Sequence, residues 1–228
     1  MAKIYLIDVT NRDGVQTARL GLSKLEKTMI NMYLNEMGVF QSEFGFPTTR
    51  HESFYLQANL ELAEMGVLKP IRLGGWLRAV MADVEKAFKL VPEIKHLNLS
   101  ISTSDQMIQG KFLGAKSRED VTSMMVDAVE AARAHGAESI GGNAEEASRT
   151  NIDFLVRFGL AAKEHGAQRL RYCDTLGYDN PFTIHESAKT LAEDLGIPIE
   201  LHCHGDLGMA VANSLAGSKG VIDGGQDA

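Results

Sequence analysis

His202-Cys203-His204 is the pattern in this 228-residue chain that speaks most directly of chemistry. In a strand, residues i and i+2 point to the same side, so both imidazoles would face one way and Cys203 the other. Two neutral imidazoles joined by a carboxylate make a facial site for a divalent metal. Asp13, within the polar run Asp8-Val-Thr-Asn-Arg-Asp-Gly14-Val-Gln16, is the carboxylate the sequence offers. Arg12 beside it reads as a surface ion pair or as a ligand-facing cation. Gly14 favours the second, because backbone without a Cβ can approach a ligand closely. Asp8 and Gln16 add polar groups to the same run. Glu43 stands just before Gly45-Phe46-Pro47. Glu145 and Glu146, ahead of Ser148-Arg149, read either as a solvated helix start or as part of a site. Cys203, facing away from the histidines, should pack as a small apolar group between strand and helix. No disulfide to Cys173 is expected, although their strands should be neighbours.

The elements that would position these residues repeat. Short apolar runs at Ile4–Ile7, Val39–Phe44, Leu97–Ile101, Ser139–Ile140, Leu170–Cys173 and Ile197–Leu201 alternate with longer helical patterns. Gly38, Gly66, Gly136, Gly166, Gly196 and Gly225 stand where helices should stop, at intervals near 30 residues or twice that. Such a period is one strand, one helix and two turns. Helix starts agree: Ser23…Glu26 and Thr49…Glu52 are capping boxes, and Ser117 and Thr150 offer the same side chain. Val121, Met124, Met125, Ala128 and Val129 form an apolar stripe on a helix over about 118–134. Seven strands are predicted, beginning near Lys3, Val39, Lys69, His96, Ala137, Arg169 and Pro198. Unbroken βα repetition means a parallel sheet. A dinucleotide-binding open sheet needs a glycine-rich first loop, which this chain lacks. The expectation is therefore an α/β fold of the (β/α)8 TIM-barrel type, one domain over residues 1–228, with its eighth strand–helix unit missing from this chain. In such a barrel the chemistry sits at the C-terminal ends of the strands. Those ends also carry Trp76, Arg78, Ser102 to Asp105, Asn143, Asp174, Thr175 and Asp206.

Composition removes several classes. The balance of 30 acidic against 23 basic residues argues against a nucleic-acid or anionic-membrane surface. Two cysteines make no disulfide framework, and a reducing cytoplasm is the expected compartment. No run reaches the ~20 apolar residues of a membrane helix.

Taken in order, the motifs resemble those of the DRE-TIM metallolyase superfamily. The run from Asp8 to Gln16 is similar to its D-x-T-x-R-D-G-x-Q opening, and Glu43-Phe-Gly-Phe-Pro47 to its second-strand E-x-G-x-P. Glu145-Glu-Ala-Ser-Arg149 resembles its E-D-A-S-R, and Asp174-Thr-Leu-Gly177 its D-T-x-G. His202-Cys-His-Gly-Asp-Leu-Gly208, with Ala212-Asn213, resembles its H-x-H-N-D-L-G…A-N. Gly75-Trp76-Leu77-Arg78-Ala79 and Arg171-Tyr-Cys-Asp174 look most like homocitrate synthases of the nitrogen-fixation type. The resemblance implies Claisen condensation of acetyl-CoA with a 2-oxo acid, first 2-oxoglutarate giving homocitrate. Relatives forming 2-isopropylmalate, citramalate or citrate, and a hydroxymethylglutaryl-CoA-type lyase, are the alternatives. It implies a divalent cation (Mn, Mg or Zn) on Asp13, His202 and His204, with Arg12, Glu145 and Thr175 catalytic. Gln16, Glu43, Arg78, Arg149 and Thr175 would bind substrate, and the assembly would be a homodimer or larger.

Departures accompany the resemblance. Gly205 replaces the family's Asn, and Val9 and Asn11 vary the first motif mildly. The family's eighth strand and C-terminal extension are not in this sequence. The chain alone is expected to be association-prone, with little activity unless a complementing segment is supplied.

Overall fold

A computed structural model describes residues 3–228. Its strands are β1 (Ile7–Asp8), β2 (Gln41–Gly45), β3 (Arg72–Arg78), β4 (His96–Ser102), β5 (Ser139–Glu145), β6 (Arg169–Asp174) and β7 (Ile199–Cys203). They lie in chain order, and the pairs β1–β2, β2–β3, β5–β6 and β6–β7 are parallel. Between them run helices α1 (Lys24–Glu36), α2 (Arg50–Glu64) and α3 (Met81–Leu90). After β4 come α4 (Asp105–Lys111) and α5 (Arg118–Ala134), then α6 (Ile152–His165), α7 (Pro181–Leu195) and α8 (Ala210–Asp223). Seven strand–helix units are present among the described residues, and no eighth. None of the helices is long and apolar enough to cross a membrane.

By compactness the described residues divide into two units, one of residues 5–98 and 131–139, the other of residues 3–4, 99–130 and 140–228. In the first, Ser23 and Glu26 close a full capping box on α1, and Thr49 caps α2. In the second, Ser117 and Asp120 exchange the same pair of bonds ahead of α5, and Asn180 caps α7 with Pro181 in its first turn. All six predicted helix-stop glycines have positive φ, between 59° and 120°. A residue with a Cβ is strained there.

β4 reads His96-Leu-Asn-Leu-Ser-Ile-Ser102, a strict alternation. Leu97, Leu99 and Ile101 are buried, each contributing on the order of 2 kcal/mol. On α5, Val121, Met125, Ala128 and Val129 of the predicted stripe are fully buried, while Met124 is half-buried at its margin. Three local expectations are corrected. β1 covers Ile7–Asp8 rather than Ile4–Ile7; Ile4 and Leu6 are exposed, and the pairing to β2 spans two residues. Asn151, not Thr150, caps α6, because Thr150 is turned back to the Glu146 carbonyl. α4 follows Ser104, whose hydroxyl accepts the Met107 amide, a start signal hidden in a polar loop.

Candidate active site

In the first unit the loop after β1 is a tight hub. The Val9 carbonyl accepts the amides of Arg12, Asp13 and Gly14 at 2.8–3.1 Å. From it Arg12 reaches β2, where its Nε donates to Glu43 at 2.6 Å and Nη2 lies 2.5 Å from the same carboxylate oxygen. Arg12 Nη1 donates to Asp13 at 3.0 Å. Glu43 is fully buried, and its other oxygen accepts from Asn98 of β4 at 2.6 Å. The Arg12 guanidinium lies over the Trp76 ring at 5.1 Å, and Phe46 packs edge-on to Trp76. Glu43 thus orients Arg12. Of the five guanidinium N–H groups, three are engaged by Glu43 and Asp13. Arg78 points elsewhere: it is exposed and makes two bonds to Asp83, at 2.7 and 2.8 Å. Gln16 is exposed on the short 3₁₀ turn Gly14–Gln16.

The second unit holds the histidines. Their Nε2 atoms are 3.1 Å apart and their rings stand edge-to-face, so one nitrogen donates to the other. Two imidazoles binding one cation at ~2.1 Å, at right angles, would hold their nitrogens about 3.0 Å apart. The pair therefore fits a shared divalent ion. Gly177 explains the D-T-x-G motif. A Cβ on it would lie 2.9 Å from the Asp206 amide and 3.0 Å from the His204 carbonyl, and its φ is +58°. Asp174 is buried and accepts the Tyr178 amide, while its carbonyl accepts the His204 amide at 3.2 Å. The β6–α7 loop thereby holds the residue after β7. Gly205 has room for the side chain it lacks, since a Cβ there meets Ala210 at 3.6 Å.

Glu145, ending β5, accepts from Ser100 at 2.9 Å and Ser102 at 2.7 Å, with Lys111 at 3.4 Å. Glu146 is separate. It is buried, has a left-handed backbone (φ 57°), and takes bonds from Ser104 and from Arg149 Nη2 at 2.6 Å. Its amide donates to Thr175 Oγ1 at 2.9 Å. Arg149 is thus an ion-pair partner of Glu146, and its buried Nε has no partner among the described residues. Sequence reasoning missed Asn98 and Ser100, which orient Glu43 and Glu145. The period-two alternation of β4 carries that signal. A polar cavity of about 390 Å³ lies at the starts of α6 and α7, floored by Tyr172 and Asp179. Burial there pushes the Asp179 carboxyl above its usual range.

Cys203 turns the other way from the histidines, toward Ser214 of α8, and burial pushes its thiol up to about 11. Cys173 is level with His202 in the β6–β7 register and Cys203 with Asp174, and no disulfide joins the two cysteines. At pH 8 a thiol of that pKa is about one part in a thousand thiolate, so labelling by a disulfide reagent is expected roughly 100-fold slower than for an unperturbed cysteine. Rapid native-state labelling of Cys203 would contradict this placement.

Residues 3–223 match the HMGL-like family. The chain belongs to the HMGL-like family. Among its curated relatives, citrate (Re)-synthase of Dehalococcoides mccartyi is 71% identical over 227 residues, all of this chain and 55% of that protein. 2-Isopropylmalate synthase 2 of Caldanaerobacter subterraneus subsp. tengcongensis is 40% identical, over 95% of this chain and 54% of its own length. Homocitrate synthase 1 of Nostoc sp. is 36% identical, over 96% of this chain and 56% of its own length. The chain spans about half the length of these relatives. Hydroxymethylglutaryl-CoA lyase of Pseudomonas aeruginosa superposes with a TM-score of 0.73 at 19% identity, covering 94% of this chain and 72% of that one. That likeness shows the fold, the α/β type of the TIM barrel. Membership agrees with the superfamily read from the motifs; the nitrogen-fixation homocitrate type is not singled out by these relatives.

Proposed function

We propose that this HMGL-like chain carries the metal and 2-oxo-acid site of an enzyme that condenses acetyl-CoA with oxaloacetate to give citrate. The observation that carries the reading is the 71% identity to a citrate synthase along the whole chain, against 36% to a homocitrate synthase. Homocitrate formation from 2-oxoglutarate, expected from the Trp76–Arg78 stretch, ranks behind it. Arg78 gives that expectation no support, being exposed and paired with Asp83.

In this reading Asp13, His202 and His204, the ligand set the family resemblance implies, hold a divalent cation. When bound, the cation supplies Lewis acidity that makes the keto carbon of the 2-oxo acid more electrophilic. Arg12 offers its remaining N–H donors to the oxygen on which charge develops, held ready by Glu43 and Trp76. The methyl group of acetyl-CoA gives up a proton to a base and its carbon bonds to the keto carbon, as the C=O π pair moves onto the keto oxygen, which takes up a proton to become the tertiary hydroxyl. Hydrolysis of the resulting thioester releases CoA. Glu145, steadied by Ser100 and Ser102, takes part in the proton transfer, since its Oε1, which accepts from Ser100, keeps a second lone pair. Thr175, Arg149 and Gln16 are assigned to substrate binding on the family resemblance.

The test is CoA release from acetyl-CoA with Mn²⁺ and each of oxaloacetate, 2-oxoglutarate, pyruvate and 2-oxoisovalerate, in the protein carrying this chain. Oxaloacetate should lead 2-oxoglutarate in kcat/KM by at least about tenfold, the least that one methylene decides. A lead for 2-oxoglutarate would install the homocitrate reading instead.

A further inference from the structure

Asn11 is the single buried residue between positions 3 and 26, and it is completely enclosed. No apolar side chain of that segment is buried, so a carboxamide does the anchoring that a leucine or valine would usually do. Its Nδ2 donates to the Lys27 carbonyl and to Asn31 Oδ1 of α1, both at 2.9 Å. Asn31 is saturated. Its oxygen also accepts from Ser42 of β2 at 2.8 Å, and its nitrogen donates to the Tyr55 hydroxyl and Asn59 Oδ1 of α2. Asn59 continues the chain to Thr28 at 3.0 Å. Lys27 pairs with Glu52 and lies over the Tyr55 ring at 4.4 Å.

The neighbouring residue goes the other way. Arg12 is tied to Glu43 and Trp76, while β1 contributes a ladder of two residues. With three amides gathered on the Val9 carbonyl, the loop is a stiff piece held by one polar anchor on each side. Removing the Asn11 carboxamide takes one donor from the Lys27 carbonyl and one from Asn31, whose oxygen keeps Ser42, and leaves the loop without its hold on α1.

We propose that Asn11 is a positioning residue, which through Asn31 sets where Arg12 presents its guanidinium and where Asp13 presents its carboxylate. The part concerning Asp13 rests on the metal reading above; the part concerning Arg12 does not. Trp76 is the one tryptophan of the chain, and with Arg12 over its ring its emission reports the guanidinium. Asn11→Ala should shift that emission in the same direction as Arg12→Ala, and should weaken binding of Mn²⁺ alone about tenfold. Asn31→Ala should move both readouts in the same sense. Asn59→Ala removes bonds of the same network that do not touch Asn11, so it should lower the melting temperature and leave both readouts in place. Unchanged Trp76 emission in folded Asn11→Ala overturns the proposal. Shifted emission in a protein that binds no Mn²⁺ upholds the Arg12 part and removes the metal reading instead. Should Asn11→Ala fail to fold, Asn11→Ser is read by the same two measurements.

Discussion

His202→Ala is expected to weaken Mn²⁺ binding by about a hundredfold or more, beyond the 10–100-fold typical of losing a residue that merely orients a ligand. Asp13→Ala should do the same. The two Nε2 atoms are 3.1 Å apart, a separation that suits adjacent positions on one ion. With one imidazole gone the remaining donors cannot close around the cation. A second readout needs no turnover. A cation present at 100 times its Kd stabilises the folded state by about 2.7 kcal/mol, so a chelator should lower the melting temperature of the unchanged protein and leave His202→Ala where it was. Full metal occupancy in both variants would end the metal assignment. Cys203→Ala is the control, because that side chain faces α8 and should leave occupancy intact.

Arg12→Lys is expected to retain the metal and lose about 10²–10³ in kcat, the usual loss when a donor to a developing oxyanion is removed. Three of Arg12's N–H groups are committed to Glu43 and Asp13 while the planar fork presents the others. A lysine ammonium has three donors around a point and no plane, so satisfying Glu43 uses the geometry that catalysis needs. Glu43 is fully buried and would keep Asn98 as a donor, so the variant should fold, at some cost in stability. The diagnostic pattern is a fall in kcat with KM for the 2-oxo acid little changed. Turnover within a few-fold of normal would remove Arg12 from the chemistry.

The repeat was legible because its signals are local. A helix-stop glycine, a capping box and a four-residue apolar run act within one turn or one strand, and the spacing of six glycines already implied seven strand–helix units. The polar residues at strand ends were legible for the same reason, once strand ends were known. β1 was misjudged because a strand's length depends on its neighbours, and Ile4 to Leu6 find too little pairing to extend it. Asn11 was read as a mild variant for a related reason. A polar residue in a polar loop looks solvated until helices from 13 to 48 residues away enclose it.

What the sequence by itself determined is the order of strand–helix units, the face shared by His202 and His204 with Cys203 turned away, and the polar character of the strand ends. Period two and period 3.6 dictate these without any distant partner. Only the tertiary structure decided which neighbours hold each charge. Arg12 is clamped by Glu43, 31 residues on, and Glu43 by Asn98, 55 residues further. Glu145 is held by Ser100 and Ser102, whereas Glu146 is taken by Ser104 and Arg149, although the two acids are adjacent in the chain. A buried polar group must find its hydrogen bonds wherever packing puts them, so the role of each of these side chains follows from the partner that enclosure supplies.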